Sequence, residues 1–219
     1  MNYHHRQRRA LVTGISGSGK STLALYLART WSARWRFVFD PDREFAIKLG
    51  WPVAISEPEI FRLAAQFRPV CYDPIPSYGG DLEAALQRFC AVVLAMSRKV
   101  NGVKLLCIDE VWKYTGRKLP PALKAIQHEG RRQEIDTLIV SQQLNDTNAA
   151  LRGQTTELWA FKQTDRRPLE WLDEAGFDSE AVKALSHPGG FIVKDNLRVT
   201  FRHGRTGRNG APVFSGQSE

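Results

Sequence analysis

Apolar residues fall along this chain in two alternating rhythms. Short, nearly unbroken runs such as Ala10-Leu11-Val12, Val103-Lys104-Leu105-Leu106-Cys107-Ile108 and Leu138-Ile139-Val140 read as strands buried on both faces. Between them lie stretches whose apolar positions recur three and four residues apart, the period of a half-buried helix. The clearest follows the candidate N-cap Asp81 and carries Leu82, Ala85, Leu86, Phe89, Val92, Val93 and Met96, a core stripe. Further helices are predicted from Ser21 to about Thr30, from a Ser56 cap through Ile60, Leu63, Ala64 and Phe67, after Pro120-Pro121, and over Pro168–Ala175 with Thr164 or Asp165 as cap. Residues 44–67 read as mostly helical, broken around Gly50-Trp51-Pro52.

Other strands are predicted at Trp35–Phe39 and Pro69–Tyr72, each stopped by an Asp-Pro pair, and at Glu157–Lys162. A final hairpin pairs Gly189–Val193 with Leu197–Phe201 across Asp195-Asn196. Strands alternating with helices predict an α/β domain, a mostly parallel sheet covered on both faces and ending in a C-terminal hairpin. The expected boundaries are residues 1–203 for the domain, with a basic N-terminal arm over about 1–9. A Gly-, Arg- and Ser-rich basic tail, expected to be disordered, follows over 204–219. No internal repeat is present.

The chemistry begins where the first strand meets the first helix. Gly14-Ile15-Ser16-Gly17-Ser18-Gly19-Lys20-Ser21-Thr22 fits the phosphate-binding loop pattern G-x-x-x-x-G-K-[ST] without a mismatch. Strand, glycine loop and helix are the context this pattern needs. The glycines let backbone amides turn inward around a phosphate, and the helix N-terminus adds partial positive charge. Lys20 is placed to reach the β- and γ-phosphates of ATP, and the Ser21 hydroxyl to ligate Mg²⁺.

Asp109 closes a buried strand, the position of a second metal-holding group opposite Ser21. Glu110, one residue further, can deprotonate a water for attack on the γ-phosphate, which separates hydrolytic motors from many P-loop kinases. Gln142 follows the strand that ends at Ser141. If that strand lies between those of the loop and Asp109, its amide points at the γ-phosphate, with Gln143 the neighbouring alternative. Gly130-Arg131-Arg132 precedes the same strand. A guanidinium there either neutralises charge on a transferred phosphoryl group or simply solvates a helix end.

Composition narrows the partners. With 31 Lys and Arg against 23 Asp and Glu, the net charge of +8 favours a polyanion, although basic residues at both ends supply much of the excess. Cys71, Cys90 and Cys107 form no metal-binding pair pattern and suit a reducing cytoplasm, and the five histidines are scattered. No apolar run reaches the length of a membrane span, so the expected location is cytoplasmic.

The ordered set Gly14–Thr22, Phe37-Val38-Phe39-Asp40-Pro41, Leu105–Glu110, Gly130-Arg131 and Leu138–Gln142 resembles the HerA–FtsK superfamily of P-loop ATPases. In size and lack of accessory domains the chain looks most like the genome-packaging ATPases of tailless, often membrane-containing viruses. The resemblance implies a fold of the additional-strand, catalytic-glutamate type. It also implies a homohexameric ring with ATP between subunits. Glu110 is then the water-activating base, Gln142 the polar sensor, and Arg131 rather than Arg132 the finger reaching a neighbour's ATP. The implied partners are double-stranded DNA, with single-stranded DNA as the alternative, and capsid or portal-vertex proteins. Zonula-occludens-toxin-like phage assembly ATPases and plasmid DNA-transfer motors share the pattern, and a small-molecule kinase is the rival from another class. The chain departs from the family in carrying Glu134 where glycine is common. Trp112, Lys113, Tyr114, Arg117, Lys118 and Lys124 are candidates either for a DNA channel or for a subunit interface.

Overall fold

A computed structural model describes residues 6–116 and 118–215. Ten strands form one sheet: β1 (Arg9–Thr13), β2 (Trp35–Phe39), β3 (Val53–Ala54), β4 (Val70–Tyr72), β5 (Lys104–Ile108), β6 (Ile135–Ser141), β7 (Glu157–Phe161), β8 (Gly190–Asp195), β9 (Thr200–Thr206) and β10 (Pro212–Phe214). The helices are α1 (Lys20–Thr30), α2 (Glu44–Leu49), α3 (Glu57–Ala65), α4 (Ile75–Tyr78), α5 (Leu82–Ser97), α6 (Pro121–Glu129), α7 (Ala149–Gly153), α8 (Arg166–Glu174) and α9 (Ser179–Ala184). The strand order is β10-β9-β8-β7-β1-β6-β5-β2-β4-β3. Strands from β7 to β3 run parallel, while β8, β9 and β10 are antiparallel additions at one edge.

Alternation along each central strand divides the core into two layers. Leu11, Phe37, Phe39, Leu106, Ile108 and Ile139 join α3, α5 and α6 on one face. Ala10, Val12, Val38, Leu105, Cys107, Leu138 and Val140 join α1 and α2 on the other. Both faces are apolar, so the strands read as runs rather than as alternation. Asp40 and Asp73, the strand-stopping acids, become caps. Asp40 is 3% exposed and accepts from Phe45 N (3.2 Å) and Ala46 N (2.8 Å), starting α2. Asp73 accepts from Ile75 N at 2.9 Å.

Several expectations change. The break at Gly50–Pro52 is present, but it leads into the edge strand β3, which is too short to show a periodicity. The chain from Gly204 does not leave the domain among the described residues: it completes β9 and adds β10. Gly204 is a packing glycine, since a Cβ there would lie 2.5 Å from Val213 O and 2.7 Å from Phe191 Cζ. Phe214 meets Phe191 edge-on at 5.8 Å, with the Arg202 guanidinium 4.0 Å over its ring. Residues 216–219 of that expected tail lie outside the described residues. The N-terminal arm is likewise shorter than expected. Gln7 is buried and donates to Ile135 O, Arg8 pairs with Glu157 at 2.7 Å, and Arg9 begins β1. Residues 1–5 of the arm also lie outside the described residues.

Candidate active site

Register places the chemistry at one end of the sheet. β6 runs between β1 and β5, with Thr13 level with Ser141 and Ile108 level with Ile139. The residues that leave these three strands together are Gly14, Asp109-Glu110 and Gln142. A ligand at the carboxyl ends of neighbouring parallel strands therefore meets all of them.

The loop after β1 is shaped by close packing. Gly14 admits no side chain, because a Cβ would stand 2.6 Å from Phe161 Cβ and 2.9 Å from Ser18 Oγ. Gly19 caps α1 at φ 104°, a left-handed conformation that glycine adopts without strain. Lys162 O accepts from Ile15 N at 3.0 Å, and Ser18 O accepts from Gly189 N at 2.9 Å, so the segments after β7 and before β8 clamp the loop. His187 Nε2 lies 3.5 Å from Ser16 O on the same side. The amides of Gly17, Gly19, Lys20 and Ser21 find no acceptor among the described residues, and Ser18 Oγ is buried without a partner. Amides left without acceptors at a helix N-terminus fit the triphosphate of a nucleotide. Lys20 is 5% exposed and donates to Ile15 O at 2.8 Å. Burial pushes its ammonium pKa down, against the pull of Glu110 and Asp109.

Asp109 and Glu110 face Lys20 across the strand ends. Burial, then the adjacent Glu110 and Glu44 charges, push the Asp109 carboxyl up to about 6, while Glu110 N and Lys20 oppose the rise. A half-buried carboxylate whose charged form is disfavoured has the chemistry to take a divalent cation, and Ser21 is the hydroxyl that could share it. Glu110 adopts φ 47° and ψ 47°, left-handed backbone that is costly for a residue with a Cβ. The turn sends its carboxylate toward β6, where Oε2 accepts from Gln142 N at 3.0 Å and from Trp112 Nε1 at 2.5 Å. Two donors on one oxygen fix the carboxylate and leave Oε1 for a water.

Lys20, Asp109, Glu110 and Gln142 thus share one end of the sheet. Arg131 does not. It follows α6 and precedes β6, so it stands at the opposite end, roughly 20 Å along a strand that rises about 3.3 Å per residue. Gly130 before it is another packing glycine, with a Cβ position 2.1 Å from Gln7 Nε2. Glu134 holds φ 52°, a conformation glycine takes without strain, and its carboxylate accepts from Gly102 N at 2.7 Å.

Of the channel or interface candidates, Tyr114 is 4% exposed and packs edge-on to Phe39 at 5.1 Å, and so belongs to the core. Trp112 belongs to Glu110. Lys113, Lys118 and Lys124 are exposed, and Arg117 lies outside the described residues. The Trp112 contact and the His187–Gly189 clamp escaped the sequence reading. Neither carries a signal in residue spacing, since each depends on how a turn folds back.

No protein-family model matches the chain, and no curated protein matches it. Solved structures do. The genome-packaging NTPase B204 of Sulfolobus turreted icosahedral virus 2, in complex with ATP-gammaS, superposes with a TM-score of 0.73 at 19% identity, covering 90% of this chain and 96% of that one. VirB4 of Thermoanaerobacter pseudethanolicus aligns over 89% of this chain and 88% of its own, with a TM-score of 0.63 at 9% identity. The cytoplasmic domain of the type VII secretion ATPase EccC of Thermomonospora curvata matches at 0.55 and 14% identity, covering 96% of this chain but 26% of that one. The chain carries the P-loop NTPase fold of these ATPases, with the additional strand β6 between the loop strand and the acidic strand.

Proposed function

We propose that this chain is an ATP-hydrolysing DNA translocase that packages a viral genome into a preformed capsid, acting as a ring with ATP sites between subunits. The observation that carries the reading is the Glu110 carboxylate, held by Trp112 and Gln142 N beside Lys20. It stands within a fold shared with a genome-packaging NTPase over nearly its whole length. A kinase delivers phosphate to a bound acceptor, whereas a carboxylate fixed directly after the metal-holding aspartate suits activation of a water.

Loop amides, Ser18 and Lys20 hold the triphosphate. Ser21 and Asp109 would hold Mg²⁺, which would supply neutralisation of the charge on the triphosphate. Glu110 accepts a proton from water as the water oxygen bonds to the γ-phosphorus. The bond from that phosphorus to the bridging oxygen breaks, releasing ADP and inorganic phosphate. Gln142 lies beside Glu110 at the end of β6, where its side-chain amide can sense the γ-phosphate. Arg131 cannot serve the loop of its own chain and would act on the nucleotide of a second copy. The net charge of +8 suits a DNA partner.

Hydrolysis should rise several-fold with duplex DNA, measured alongside oligomer mass. Glu110→Gln should bind ATP and lose steady-state turnover by at least about a hundredfold, the scale of general-base catalysis. Turnover that survives this change, or that ignores DNA, overturns the corresponding half of the proposal. The fold is shared with a type VII secretion ATPase as well, so the second reading is a secretion or DNA-transfer motor, which dependence on a membrane protein rather than a capsid would support.

A further inference from the structure

A cavity of about 510 Å³ opens at the end of the sheet opposite the phosphate loop, where β1 and β6 begin and β7 enters. Arg6, Arg9, Gln127, His128, Arg131 and Thr156 line it, and no carboxylate does among the described residues. Its floor is built rather than merely basic. Gln127 is 3% exposed, and its Nε2 has no acceptor. Arg9 is tethered through Nη1 to Gln127 O and Gln154 Oε1, both at 3.1 Å, while its Nε is buried with no partner. Burial lowers the Arg9 pKa, and no facing carboxylate offsets it. Two orphaned donors in one cavity are rare in folded proteins and call for an acceptor.

We propose that this cavity binds a phosphoryl group, with Arg9 Nε and Gln127 Nε2 as the buried donors and Arg6 and Arg131 as the outer cations. Guanidinium and amide donors with no carboxylate among the described lining favour an oxyanion over a cation. Three guanidinium groups suit the higher charge and three oxygens of a phosphoryl group better than a carboxylate. The volume exceeds that of a lone phosphate, so the group belongs to a larger molecule that continues out of the mouth. Its source is either the triphosphate of a nucleotide carried by a second copy or the phosphodiester of a nucleic acid. The binding step does not depend on the packaging reading.

Thermal unfolding of the Lys20→Ala protein, whose phosphate loop is disabled, tests the site with inorganic phosphate against chloride at matched ionic strength. The expected result is a Tm raised by roughly 5–10 °C when phosphate stands at about a hundred times its Kd. Adding Gln127→Leu should abolish that rise while leaving the Tm in chloride equal or higher, since an orphaned donor has been removed. This opposite movement separates lost binding from lost folding. No rise in Lys20→Ala, or an equal rise with Gln127→Leu, overturns the proposal. In the chain with Lys20 intact, Gln127→Leu then identifies the source. Weaker duplex affinity across a salt series marks a nucleic-acid phosphate. Weaker ATP-dependent self-association with unchanged duplex affinity marks the nucleotide of a second copy.

Discussion

Replacing Trp112 by phenylalanine removes one hydrogen-bond donor and little volume. In the structure that donor is half of what fixes the Glu110 carboxylate, the other half being Gln142 N at 3.0 Å. A hydrogen bond to a charged group contributes about 1.5–3 kcal/mol, and each 1.36 kcal/mol corresponds to a factor of ten. Loss of this one bond's whole contribution would therefore lower kcat by roughly 10- to 150-fold. Because the backbone donor remains, the expected loss is near the lower end, about tenfold. KM for ATP should hardly move, since the loop amides, Lys20, Ser21 and Asp109 are untouched. Steady-state hydrolysis across ATP concentrations, with nucleotide affinity measured separately, gives both numbers. A structural role for the indole would shift KM, Tm and kcat together. A kcat at or above that of the parent would refute the reasoning, because the indole would then be restraining Glu110 rather than presenting it.

Other consequences follow from burial, packing and position. Asp109→Asn should stabilise the nucleotide- and metal-free protein by up to about 3 kcal/mol at pH 7.5, the cost of a rise from 3.8 to about 6. Since the folded state favours the protonated acid, the advantage should vanish near pH 3.5, grow as pH rises through 6 and stay level above. Melts that show the variant weaker at pH 7.5 contradict this. Gly204→Ala sets a Cβ 2.5 Å from Val213 O, so it should release β10 and open 207–211 to limited proteolysis, with a stability loss of roughly 1–3 kcal/mol by denaturant titration. Arg131→Ala subunits mixed into wild-type assemblies should lower activity by more than their share; a decline in simple proportion would rule out action on a neighbour.

What could be read ahead was whatever is local. The loop at Gly14–Thr22, the run ending in Asp109-Glu110 and the stripe of α5 each lie within one window of the chain, and each sits where its pattern put it. Strand order is not local: β6 between β1 and β5 is a fact of tertiary packing, and Gln142 has a place beside Glu110 only because of it. Trp112 read as part of a basic, aromatic surface segment. The left-handed turn at Glu110 folds the indole back two residues onto the carboxylate, and no periodicity reports such a turn. Tyr114 turned out to be core for the same reason. Gly204 and Gly210 gave the C-terminus the composition of a disordered tail. In the fold one makes room for Phe191, and the other lets the last turn approach Thr22 O of α1, where a Cβ would stand at 2.7 Å. Composition cannot distinguish a glycine that frees the chain from one that admits a neighbour.

The polarity of a parallel sheet separates two halves of the proposed chemistry. Everything that attracts phosphate at the loop leaves the carboxyl ends of β1, β5 and β6, whereas Arg131 and the Arg9–Gln127 cavity stand where β1 and β6 begin. No side-chain rotation crosses that length. If Arg131 completes a phosphate site, the contact must join the amino edge of one sheet to the carboxyl edge of another. Repeated head to tail, such a contact leaves one loop and one arginine unmatched in every open assembly, so it propagates until the rotation closes a ring. An isologous pair would match both edges at once and stop at two subunits. The mass of the assembly that hydrolyses ATP therefore discriminates between these arrangements. The trans role of Arg131 requires only that some such contact exist, but coordinated hydrolysis around a circle requires the head-to-tail one.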